Sequence, residues 1–117
     1  MTEITITLPD KLAAQIGGAN LWLPAIIELS MVGFRSPATS QASAETIKFL
    51  STNPMPQDVL NRYLSDELQE RLDYLLDLNG EGEINEDERQ ELSEWMKFDH
   101  ITIMLKANAG KIIRRNN

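Results

Sequence analysis

One short stretch concentrates the side chains that could do chemistry, Asp77-Leu78-Asn79-Gly80-Glu81-Gly82-Glu83-Ile84-Asn85-Glu86-Asp87-Glu88. Counted from Asp77, oxygen-bearing side chains stand at positions 1, 3, 5, 9 and 12 (Asp77, Asn79, Glu81, Asn85 and Glu88), with Gly82 at 6 and Glu83 at 7. Oxygen ligands at alternating positions let a short loop wrap a hard cation such as calcium. Gly82 would make the bend, Glu83 would give its carbonyl, and Glu88 would close the sphere with both oxygens. The same residues also admit a metal-free chemistry. Asn79-Gly80 can end a helix in left-handed geometry. Asn85 can cap the next helix while Glu88, three residues on, reaches back to the Asn85 amide. Glu86, Asp87 and Glu88 then lie near the positive end of that helix's dipole.

The spacing is that of an EF-hand calcium loop. Glu81 is longer than the Asp, Asn or Ser common at its position, and no second such loop occurs in the chain. The capping reading accounts for every acid without a metal and is preferred, so no cofactor is expected, with calcium as the alternative.

Either reading needs a helix on both sides of the turn. Upstream, Leu60, Leu64, Leu68, Leu72 and Leu76 recur every fourth residue, which makes one stripe on a helix. Downstream, one apolar line runs Leu92, Trp95, Met96, Ile103, Ala107, and a second runs Phe98, Ile101, Leu105. A helix apolar around so much of its girth is buried on several sides or docks on a partner. Trp95, Phe98, Ile101 and Leu105 are the residues expected to hold that partner. Residues 101–105 also alternate well enough to form a strand.

Composition narrows the function. The chain has 117 residues, 42% hydrophobic, enough for one domain with a core. It has no cysteine and one histidine, His100, so thiolate metal sites and cysteine catalysis are excluded. No Ser/His/Asp or paired-carboxylate arrangement stands out, and an enzyme is not expected. No apolar run approaches membrane-spanning length, and no signal-peptide pattern opens the chain, which reads as cytoplasmic. Net charge is −7, unevenly placed: Asp66 to Asp99 holds thirteen acids against three bases, and the remainder holds five acids against eight bases. Such a hairpin repels nucleic acid and attracts basic proteins.

The order expected along the chain is four parts. Residues 1–35 form a strand-helix-helix module, 36–56 a Ser/Ala-rich linker with a short helix, 57–110 an antiparallel helical hairpin, and 111–117 a basic tail. Residues 3–8 alternate strictly, which is a strand signal with Ile4, Ile6 and Leu8 on one face. Pro9 stops it, Gly17-Gly18 ends a short helix, and Asn20 can cap a helix over 21–34. A lone strand needs a mate for its hydrogen-bonding groups, and a second copy of the chain supplies one.

Strand, proline, helix, turn and helix in this order resemble the ribbon-helix-helix family, in which two chains pair strands into a ribbon that enters the DNA major groove. The resemblance implies a mainly α fold with a short N-terminal strand and a homodimer cored by Ile4, Ile6 and Leu8. It also implies base contacts from Thr5 and Thr7, with Lys11 the nearby cation for nucleic acid. The first helix is short for that family, and residues 1–35 are poor in the cations that phosphate contacts need. The two ends together, Ile-Thr-Ile-Thr-Leu-Pro-Asp at 4–10 and Arg-Leu-Asp-Tyr-Leu-Leu-Asp-Leu-Asn at 71–79, are similar to a group of small cyanobacterial proteins described as antitoxin-like. That similarity implies a dimerising or DNA-binding N-terminus and C-terminal helices that engage a partner protein such as a toxin.

Overall fold

A computed structural model describes residues 20–115. Over that span the chain forms helices α1 (Leu23–Val32), α2 (Pro37–Ser51), α3 (Pro56–Leu60), α4 (Asp66–Glu81) and α5 (Glu86–Arg115). At about 1.5 Å per residue the 30 residues of α5 run about 45 Å, which matches the 46 Å long dimension of the molecule. The other four helices all lie against something, and α1, α2, α3 and α4 each touch α5.

Local chemistry sets the helix ends. Asn20 ties the start of α1 to the end of α2: its Oδ1 accepts from the Trp22 amide at 2.7 Å and its Nδ2 donates to the Leu50 carbonyl at 2.8 Å. Asn53 accepts from the Leu21 amide, and the Trp22 indole donates to the Pro54 carbonyl at 2.8 Å. Asn53 has φ 54, left-handed geometry that asparagine tolerates, and it turns the chain after α2. Gly33, at φ 70, ends α1, and Pro37 opens α2 at a position where no amide partner is needed.

Mainly α holds among the described residues, but the ribbon-helix-helix arrangement does not. There is no strand among them, and residues 3–8, which carried that expectation, lie outside them. Residues 20–35, the described part of the expected 1–35 module, pack with the rest. Trp22, Ile26 and Leu29 are buried in one core with Leu75, Trp95 and Leu105, because α1 packs on both α2 and α5. Residues 101–105 are helical, since Ile101 and Leu105 share the buried side of α5 while Ile103 faces out. The basic tail is part of α5 through Arg115.

The Ser/Ala-rich segment expected as a linker is most of α2. Its buried face is Thr39, Ala42, Ser43, Thr46 and Leu50, a helical spacing written in small residues. Small side chains bring neighbouring backbones close, and the hydroxyls are satisfied: Thr46 donates to the Ala42 carbonyl at 2.8 Å. The first arm of the expected hairpin breaks in two. Val59 and Leu60 belong to α3, and α4 begins only at Asp66.

Candidate functional site

The turn between α4 and α5 settles into the capping geometry. α4 continues through Glu81, so Asp77, Asn79 and Glu81 are helical and the twelve-residue calcium loop is not formed. Gly82, at φ 71, reverses the chain. Its amide donates to Asn79 O at 3.2 Å and the Glu83 amide to Leu78 O at 2.9 Å, the paired bonds of a Schellman end. The Glu88 amide donates to Asn85 Oδ1 at 2.8 Å, and the Asn85 amide donates to Glu88 Oε1 at 3.0 Å. That reciprocal cap occupies the two side chains that calcium would have needed at the end of its loop. Among the described residues no three acidic or histidine side chains group as a metal site.

The four residues expected on a partner surface point inward instead. Trp95, Phe98, Ile101 and Leu105 are 0, 4, 6 and 7% exposed. Phe98 sits edge-on to both Trp95 and Phe34, with ring centroids 5.8 and 6.2 Å apart. They hold the chain to itself. Of the line Leu92, Trp95, Met96, Ile103 and Ala107, the last three face solvent, with Met96 45% and Ile103 57% exposed, and Met104 beside them is 50% exposed. Ile4, Ile6 and Leu8, and Thr5, Thr7 and Lys11, lie outside the described residues.

Two acids fall in the apolar register of α5 and are buried there, Glu91 and Glu94. Glu91 takes both arms of the Arg71 guanidinium, at 2.9 Å from Nε and 2.8 Å from Nη2, and the Trp95 indole at 3.2 Å. The Arg71 hydrogen bonds hold the Glu91 carboxyl below its ordinary range against burial, and Glu91 in turn raises Arg71. Burial pushes Glu94 up, but hydrogen bonds from the Ser36 amide, Thr39 and the Arg35 amide outweigh it, and Glu94 lies below its ordinary range. The sequence signal for both is an acid four residues before an aromatic, Glu91 before Trp95 and Glu94 before Phe98, where a core residue belongs.

A cleft of about 300 Å³ opens between α2, the α3–α4 connection, α4 and α5, the low end of the range for small-ligand sites. Phe49, Leu64, Leu72, Trp95, Phe98 and Leu105 form its apolar wall. Arg62, Tyr63, Asp99 and Lys106 stand on its polar side. The Arg62 guanidinium lies 4.7 Å over the Phe49 ring, and the Lys106 ammonium 5.0 Å over the Tyr63 ring. Lys106 also donates to the Arg62 carbonyl at 2.9 Å. Sequence patterning does not reveal this cleft, because its walls come from four separate segments.

No protein-family model, curated protein or solved structure matches the chain.

Proposed function

We propose that the chain is a non-enzymatic adaptor that holds a protein partner on the outward face of its α4–α5 hairpin. The observation that carries this is the apolar stripe of Met96, Ile103 and Met104, roughly half exposed on an otherwise charged helix. Met96, His100, Ile103 and Ala107 are spaced by four, three and four residues, the seam spacing with which one helix packs on another. Ten of the thirteen acids between Asp66 and Asp99 are exposed. A complementary partner therefore presents an apolar groove rimmed by lysine or arginine. In the sense implied by the antitoxin-like resemblance, that partner is a toxin neutralised by capture.

The test compares the wild-type chain with Ile103→Glu/Met104→Glu as bait in extract from the native host at low salt. Circular dichroism checks that both are folded. The wild type should retain a basic protein in fixed stoichiometry, and the variant should lose it. If neither retains a stoichiometric partner, or both retain it equally, the stripe is not a binding surface.

A further inference from the structure

The cleft beside Arg62 and Lys106 has features that the adaptor reading does not use. It lies on the side of α5 where Phe98, Thr102 and Leu105 face inward, with Ile103 at its edge. Its wall is aromatic and aliphatic, which suits a hydrocarbon chain. Its mouth holds two cations in a chain of net charge −7.

Those cations lack counter-ions among the described residues. Among the described residues the one ion pair is Arg71 with Glu91, so neither Arg62 nor Lys106 has a carboxylate within 4.0 Å. Both are half-buried and held over aromatic rings, which fixes the charges at the rim rather than out in water. The groove continues past Phe49, Arg62 and Tyr63 into a shallower basin with Lys48 on its edge. No acid among the described residues pairs with either cation.

Apolar depth with cations at the mouth selects an amphiphile with a negative head. Asp99 on the same wall, and Glu45 in the basin, disfavour a dianion such as a phosphate ester. A single carboxylate matches the planar fork of Arg62, with Lys106 as the second donor. The overall negative charge opposes approach only at long range, since at physiological salt charges beyond about 8 Å are screened.

We propose that this cleft binds a free medium-chain aliphatic carboxylate, with its hydrocarbon against Phe49, Leu72 and Phe98 and its head between Arg62 and Lys106. Trp95 lines the cleft and reports occupancy by its fluorescence.

The probe is decanoate, kept below its micelle concentration at neutral pH, with decanol and decylamine as controls on the same wild-type protein. Saturable one-to-one binding of decanoate is expected, with decanol at least about tenfold weaker, the loss of one charge-assisted contact. Decylamine should not bind. Arg62→Gln/Lys106→Gln should weaken decanoate about tenfold and leave decanol unchanged. Circular dichroism monitors the fold of the variant, and the ligand panel on the wild type decides the question without it. Equal binding of decanol and decanoate makes the cleft a general apolar surface and overturns the proposal. So does absence of saturable decanoate binding, or a double variant that binds decanoate as the wild type does. The adaptor reading stands or falls separately, because the ligand panel is run on the wild type and Arg62→Gln/Lys106→Gln leaves Met96, Ile103 and Met104 unchanged.

Discussion

Glu94 and Thr39 meet 55 residues apart in sequence, with the carboxylate Oε1 2.8 Å from the threonine hydroxyl. The same oxygen accepts from the amides of Arg35 at 2.8 Å and Ser36 at 3.0 Å. Ser36 precedes α2 but makes no capping bond with its own side chain. The cap comes from another helix, so the start of α2 and the middle of α5 are fixed by one side chain. An acid at a helix N-terminus also meets the favourable end of its dipole.

Glu94→Ala should therefore cost about 2–3 kcal/mol, because it removes a cap and leaves buried donors without an acceptor. Glu94→Gln keeps an acceptor but not the charge and should cost about half as much. Urea unfolding at neutral pH, with the same slope for all variants, checks this.

The low-lying carboxyls of Glu91 and Glu94 set a pH dependence. In the native state they bind fewer protons than in the unfolded chain, so stability rises with pH across their titration. Their contribution is fully present above the unfolded glutamate value of about 4.3 and is lost as pH falls through the lower native values. The double variant Glu91→Gln/Glu94→Gln should flatten the acid limb of the stability curve measured from pH 7 downward.

Arg71 and Glu91 form a two-armed pair that joins α4 to α5 across 20 residues. A double-mutant cycle with Arg71→Ala and Glu91→Ala should give a coupling of about 1 kcal/mol, above that of exposed pairs, since the Glu91 end is buried. Glu91→Ala alone should exceed Arg71→Ala, because it also strips the Trp95 indole of its acceptor.

Gly82→Ala should cost about 1 kcal/mol through its left-handed backbone, although nothing lies close enough to obstruct a methyl group. Asn85→Ala should cost a similar amount through loss of the reciprocal cap. Calorimetry with millimolar calcium should show no binding heat in the wild type, because three of the ligand positions are consumed by α4.

How much of this was legible depends on residue size and on distance in sequence. The cap at Asn85 and Glu88 could be read because both partners lie within one helical turn. Of the stripe read at Leu60, Leu64, Leu68, Leu72 and Leu76, Leu68 is buried, whereas Leu76 is exposed and its neighbour Leu75 takes the buried place. α2 read as a linker because its buried face is threonine, serine and alanine, whose burial is decided by a neighbour's shape rather than by their own hydrophobicity. Trp95, Phe98, Ile101 and Leu105 read as a partner surface because α5 is apolar on more than one face, and only the packing of Phe34 and α3 shows which one the chain itself covers. The role of Glu94 was not legible because its partners lie near residue 36. The cleft was invisible because no local pattern announces a space between four segments.

The uninterrupted run of α5 has a consequence for how the molecule comes apart. Every other described helix uses it as backing, so none of them can peel away without exposing a length of the same rod. Local opening of one piece then strips support from the next, which ties amide exchange in distant segments to a common event. A nick anywhere along that rod is felt at both extremities of the particle at once.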